Sequence, residues 1–190
     1  MASIYYTVKV LAALWIAGMF FIFATSGNSS EKDDHFSSYV LFATVSAFFP
    51  TIQYATRQGE NGTGAFSVGS PYVSYAGFLL IAIACVVHAL GIFTLKKQWS
   101  TTVVVREDHQ LIETGLYKFI RHPIYAAILL ELLGFGLALS NWLAILFLIV
   151  PNLAGFAYRI HVEEKVLRKH FGQAYVLYEQ HTKRLMPWVF

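Results

Sequence analysis

Charge is scarce in this chain. Only 13% of its 190 residues are Asp, Glu, Lys or Arg, about half the share of a soluble domain. With 56% hydrophobic residues as well, a soluble protein of this length would lack the polar surface to cover its core. Cysteine is scarcer still. Cys85 stands alone inside an apolar run, so no internal disulfide forms and no thiolate cluster exists for zinc; it reads as packing. The net charge of +3 is too small and too scattered for a nucleic-acid binder. Several catalytic signatures are missing too. No G-x-S-x-G elbow supports a serine hydrolase. No G-x-G-x-x-G marks a Rossmann cofactor site, and the H-x-E-E run at His161 lacks the one-face histidine pair of zinc hydrolases. No metal is expected.

What the chain has is apolar length. Five stretches stand out, from about Ile4 to Thr25, Phe36 to Ala55, Tyr72 to Leu95, Pro123 to Leu139 and Trp142 to Tyr158. A membrane-spanning helix needs about 20 such residues. The first is longer than a signal-peptide core of ~7–15 residues and reads as a retained helix, with Lys9 able to snorkel. The fourth is short, about 25 Å at 1.5 Å per residue. Only "SNW" separates it from the fifth, so these two form a tight antiparallel hairpin. The expected fold is all-α: a single polytopic membrane domain over 1–190, with three N-terminal spans in 1–95. The half from 96 to 190 holds the hairpin 123–158 and an amphipathic cytoplasmic helix after Arg159. That helix carries Leu167, Phe171, Ala174, Tyr175 and Tyr178 at helical spacing, interrupted by Gly172. "TTVVV" at 101–105 resembles a short extended piece, and "NGT" at Asn61 matches a glycosylation acceptor.

Lysine and arginine set the orientation. The segments Lys96–His122 and Arg159–Arg184 hold eleven of the fourteen basic residues. A two-helix hairpin separates them, so both lie on one side, cytoplasmic by the positive-inside rule. Five spans then leave the N-terminus outside. The same topology lets His109, Tyr117, Arg121, His122, Tyr125, Arg159, His161, Glu163 and Glu164 converge at one membrane mouth. The plain alternative for each is an interfacial anchor, or for Arg159 and Glu163 an i, i+4 ion pair worth a few tenths of a kcal/mol. Glu131 sits about two turns into the fourth span, where a bare charge costs at least ~2.5 kcal/mol. It reads as one end of a helix–helix hydrogen bond, or as a base if the mouth handles an amine. Asn152, beside Pro151, reads as a donor to a freed helix carbonyl.

Two stretches, "HQLIETGLYKFIRHPIY" and "RIHVEEKVLRKHFGQAYVLYEQHTKRLMP", resemble the isoprenylcysteine carboxyl methyltransferase family of integral membrane enzymes. The resemblance covers roughly His109 to Pro187. It implies S-adenosylmethionine as methyl donor and a C-terminal S-isoprenylcysteine carboxylate as acceptor, with a lipophilic, prenylated protein C-terminus as partner, alongside membrane lipid and without nucleic acid. Carried over by position, it implies a cofactor site at His109, Gln110, Leu111, Ile112, Tyr117, His122, Pro123, Ile124, Tyr125 and Glu163. Arg159 is implied to meet the acceptor carboxylate as the catalytic residue. It implies an active site facing the cytoplasm, in the endoplasmic reticulum of a eukaryote or the inner membrane of a prokaryote. Related membrane methyltransferases act on phospholipids or small thiols, so N- or S-methylation is the alternative. A non-catalytic docking protein is the other.

Overall fold

The computed structural model describes residues 2–25, 48–58, 62–66, 71–98 and 109–186. Six helices lie in these segments: α1 (Ala2–Thr25), α2 (Phe48–Gln58), α3 (Pro71–Leu95), α4 (Pro123–Ala138), α5 (Trp142–Phe171) and α6 (Gln173–His181). Single 3₁₀ turns cover Lys96–Gln98 and Gly115–Lys118. Among the described residues there is no strand, only isolated bridges between Ala65 and Asn141 and between Ile120 and Lys183. The expected spans at Ile4–Thr25, Tyr72–Leu95 and Pro123–Leu139 correspond closely to α1, α3 and α4. The expected second span is described only from Phe48, where α2 runs on past Ala55 to Gln58. The TTVVV and Asn61 readings lie outside the described residues. Three helices, α1, α3 and α5, are long and apolar enough to cross a membrane, and α4 is a shorter apolar helix.

Sequence reading ends the fifth span near Tyr158 and starts a separate helix after Arg159. That is corrected here. Nothing between Tyr158 and Arg159 breaks a helix, so α5 runs unbroken for 30 residues, about 45 Å at 1.5 Å per residue. A hydrocarbon core is ~30 Å thick, so the polar end of α5 stands out of the bilayer as a stalk. The break comes at Gly172, at φ +55°, a left-handed conformation that glycine adopts without a Cβ clash. α6 then turns back along the stalk.

The short α4 is the hub. Pro123 occupies its first turn, where the missing N–H is no loss. Its far end is closed by Ser140, at φ +49°, and by Asn141, whose Oδ1 caps α5 by accepting from Ala144 N at 2.9 Å. In lipid, helices gain little from hydrophobic contact and associate through close packing and hydrogen bonds. α3 and α4 do this through small residues. A Cβ added at Gly77 would lie 2.4 Å from Ala138 N and 2.6 Å from Gly134 O. At the other end of the pair, a Cβ on Gly91 would lie 2.8 Å from Ile124 Cγ1. The two helices are therefore antiparallel and in near-backbone contact.

α1 and α2 meet α4 through aromatic rings. Trp15 and Phe48 centroids are 4.6 Å apart, and Phe48 and Phe135 meet edge-on at 4.9 Å. Polar atoms inside this apolar block find one another. Glu131, 1% exposed, accepts from Trp15 Nε1 at 2.6 Å through Oε2 and faces His88 Nδ1 at 3.0 Å through Oε1. This is the helix–helix bond expected of Glu131, now with both partners named. Asn152 donates to Leu148 O at 2.8 Å, one residue on from the Phe147 carbonyl that Pro151 leaves without its usual donor.

Candidate active site at the membrane mouth

The mouth is built where α4 begins and the apolar part of α5 ends. Tyr125 lies in the first turn of α4. Arg159 and Glu163 are one turn apart on α5, so their side chains share a face. The tyrosine joins the two side chains. Arg159 Nε donates to the Tyr125 hydroxyl at 2.8 Å, and that hydroxyl donates to Glu163 Oε2 at 2.8 Å. His122 stacks on Tyr125, centroids 5.6 Å apart, and Tyr125 stacks on buried Phe156 at 5.0 Å. The ring column fixes the tyrosine, and the tyrosine fixes the plane of the guanidinium. His122 Nδ1 is 3.9 Å from Glu163 Oε2. Its buried Nε2 has no hydrogen-bond partner among the described residues. His122, Tyr125, Arg159 and Glu163 thus come together as expected from the hairpin.

The remaining sequence-derived candidates are placed around this quartet. Tyr117 is buried. Its hydroxyl approaches Gly91 O at 3.5 Å, and its carbonyl accepts from Tyr178 at 2.6 Å. Burial, with the charges of Glu163 and Tyr125 adding, pushes its phenol well above the ordinary tyrosine value, so it remains a protonated donor. Pro123 is buried, and Ile124 packs into the Gly91 notch. His109 and Gln110 are tied to Gln98 beyond the end of α3: His109 Nε2 lies 3.4 Å from Gln98 O, and Gln110 N donates to Gln98 Oε1 at 2.8 Å. Leu111 and Ile112 follow, half-buried.

The family resemblance points to Glu163 and not to Glu164, yet Glu164 is the most enclosed charge at the mouth, 0% exposed. Arg121 Nε donates to it at 2.9 Å, Arg184 Nη2 at 2.9 Å and Arg168 Nη2 at 3.4 Å. His122 Nε2 lies 3.5 Å away. Burial alone would raise the Glu164 carboxyl. The His122 ring and the bonds from Arg184 and Arg121 outweigh it and hold the group well below the ordinary carboxylate range. The signal was in the sequence. Phe156, Ile160 and Glu164 are four apart and all buried, so the inner stripe of the span continues straight into this carboxylate. Arg121 also donates to Thr182 O at 2.6 Å. Backbone bonds from Arg121 N to Lys183 O (2.7 Å) and from His122 N to Arg184 O (3.0 Å) strap the C-terminal segment across the mouth. Tyr175, 1% exposed, sits within the fields of Glu164, Glu163 and Arg121, and its hydroxyl has no hydrogen-bond partner among the described residues.

The profile of the isoprenylcysteine carboxyl methyltransferase (ICMT) family matches residues 75–169, half of the chain. The chain belongs to the ICMT family. The matched region runs from α3 through both halves of the mouth, including His122, Tyr125, Arg159 and Glu163. A probable protein-S-isoprenylcysteine O-methyltransferase of Oryza sativa subsp. indica is 29% identical over 120 residues, 62% of this chain and 63% of that protein. Methanethiol S-methyltransferase 1 of Bradyrhizobium diazoefficiens is 28% identical over 162 residues, 80% of this chain and 54% of that protein. A solved structure of the eukaryotic intramembrane Ras methyltransferase ICMT superposes with a TM-score of 0.61. It is 23% identical and the match covers 82% of this chain and 54% of that one, a likeness of fold. This ICMT-family chain therefore spans under two thirds of the length of these relatives.

Proposed function

We propose that this ICMT-family chain transfers a methyl group from S-adenosylmethionine to a membrane-embedded acceptor, the carboxylate of a C-terminal S-isoprenylcysteine. The observation that carries the reading is the Arg159–Tyr125–Glu163 relay: a guanidinium held in a fixed plane where the apolar part of α5 meets water. The donor set fits the cofactor. Glu163 offers an acceptor for amino or hydroxyl groups, and His122 offers a buried ring whose Nε2 makes no hydrogen bond among the described residues and lies 3.5 Å from Glu164. Tyr117 offers a ring face to a cation, a contact worth about 0.5–2 kcal/mol, and Tyr125 offers its hydroxyl. These residues, with His109, Gln110, Leu111, Ile112, Pro123 and Ile124, would hold it. When bound, S-adenosylmethionine supplies an electrophilic methyl group on a sulfonium.

The chain's own residues do the rest. A carboxylate acceptor is already ionised at neutral pH and needs no general base. It must be desolvated and aligned, and alignment of two reactants lowers a barrier by about 7–11 kcal/mol. Arg159, 3% exposed, presents the planar fork that suits a carboxylate, and Tyr125 fixes its direction. Glu131 is not needed as a base in this scheme, in keeping with its engagement by Trp15 and His88 on separate oxygens.

The orientation follows from charge: Lys118, Lys165, Lys169 and Lys183 are all exposed around the mouth, which faces the cytoplasm by the positive-inside rule. A second reading, S-methylation of a small thiol, draws on the longer match to the methanethiol S-methyltransferase. Radiolabelled S-adenosylmethionine, supplied to the protein in nanodiscs with farnesylcysteine or a small thiol, separates the two. Label released by base as methanol supports the methyl ester. Base-stable label on the thiol supports the second reading, and the absence of transfer to either overturns both.

A further inference from the structure

The segment after α6 returns to the residues that open α4. α6 folds back along the stalk with Tyr175 and Tyr178 buried, and it delivers Lys183 to the residues that open α4. Ile120 and Lys183 form a parallel bridge, and Lys183 N donates to Phe119 O at 3.4 Å. Apolar α4 begins at Pro123, four residues after Phe119. Lys183 and Phe119 therefore sit at the level where hydrocarbon gives way to headgroups.

Side chains at this level divide sharply. Tyr117, Tyr178, Thr182 and Leu185 are buried. Lys118 and Lys183 are exposed, and so are two large apolar residues, Phe119 at 60% and Met186 at 57%. Water is a poor environment for the latter pair, and Lys118 and Lys183, next to Phe119 in the chain and through the bridge, favour a cover with anionic groups at its edge. An apolar tip flanked by ammonium groups matches an anionic leaflet, with the ring and thioether among acyl chains and the lysines at phosphate level. Of the neighbouring carboxylates, Glu179 is held by Arg168 at 2.7 Å, while Glu113 is exposed and subtracts one charge from the two lysines.

We propose that Lys118, Phe119, Lys183 and Met186 form a docking surface for anionic phospholipid of the cytoplasmic leaflet. The same strap carries Arg184 into Glu164, so a seated surface braces the floor of the mouth. The inference needs no assumption about which group is methylated.

The test uses the full chain in nanodiscs of phosphatidylcholine with or without phosphatidylglycerol. In a Cys85→Ser background, Phe119→Cys and, separately, Met186→Cys carry an environment-sensitive fluorophore. Quenching is read with a phospholipid bearing a shallow nitroxide and with acrylamide in the water. With phosphatidylglycerol both labels should be quenched by the lipid nitroxide and shielded from acrylamide, and added salt should reverse this. Lys118→Gln and Lys183→Gln should each lower the docked-to-undocked ratio about five-fold, the equivalent of about 1 kcal/mol per lysine near an anionic surface. Equal acrylamide access in both discs overturns the proposal. So does a phosphatidylglycerol effect that survives loss of both lysines, or one seen at only one of the two labels. Shielding by a polyglutamate peptide without any effect of phosphatidylglycerol assigns the surface to an acidic protein instead.

Discussion

Trp15 on α1 and Glu131 on α4, 116 residues apart in sequence, share a 2.6 Å hydrogen bond inside the apolar block. With His88 on the carboxylate's other oxygen, three helices are pinned at one point. Hydrogen bonds between helices in a bilayer are modest, about 1–2 kcal/mol in model peptides. Trp15→Phe keeps a ring against Phe48 but removes the donor and the second ring of the indole. It should lower stability by about that amount, read as a shift in unfolding in mixed detergent. If the variant unfolds with the parent, the bond contributes nothing to holding α1.

Glu164 predicts an acid limb in stability. Its folded value is depressed, against about 4.3 for an unfolded glutamate. Folding thus favours the ionised form. The contribution is complete above the unfolded value and is lost as pH falls below it toward the folded one. Glu164→Gln should remove this acid-dependent loss and, by leaving buried Arg121 without its carboxylate, cost about 3–5 kcal/mol at neutral pH. Thermal midpoints collected from about pH 6 down to pH 3 supply the comparison. Unchanged midpoints and an unchanged acid slope would show that the arginines find other partners.

Sequence made the mouth legible for a simple reason. Ser140 and Asn141, between two apolar stretches, leave no route except a hairpin, and a hairpin brings the start of α4 to α5. The convergence of Arg159, Glu163, His122 and Tyr125 follows from that; their roles rest on the family resemblance. Trp15 as the partner of Glu131 was not legible. α1, α3 and α4 are apolar nearly all round, so no polar stripe tells which face meets which neighbour. The extent of α5 was misread because the change to polar residues at Arg159 marks the edge of the bilayer, and a helix is free to cross that edge. Gly172, the true break, was visible.

The α3–α4 contact predicts opposite outcomes at two glycines. A Cβ at Gly77 meets backbone atoms of α4 at 2.4 and 2.6 Å, and backbone cannot swing away as a side chain can. Gly77→Ala should force the helices apart and cost about 1–3 kcal/mol. Gly18 on α1 has nothing within 4 Å of an added Cβ, so Gly18→Ala should be neutral or gain up to ~1 kcal/mol of helix propensity. Parallel unfolding curves for the pair settle the matter: equal effects would mean that α3 and α4 do not touch at Gly77.

The relay itself yields the sharpest kinetic prediction. Tyr125→Phe preserves both ring stacks and deletes one oxygen, the atom that joins Arg159 to Glu163. A guanidinium no longer fixed in its plane is misaligned by a fraction of a bond length or more, and small misplacements cost about 10²-fold in rate. Arg159→Lys keeps the charge but loses the fork and should cost about 10²–10³-fold, comparable to removing one transition-state donor. Because the tyrosine acts through the arginine, the double variant should be little slower than Arg159→Lys alone. Initial rates of base-labile methyl transfer for the three proteins provide the cycle. If the two losses multiply, the Tyr125 hydroxyl acts independently of Arg159, and its role in orienting the guanidinium is disproved.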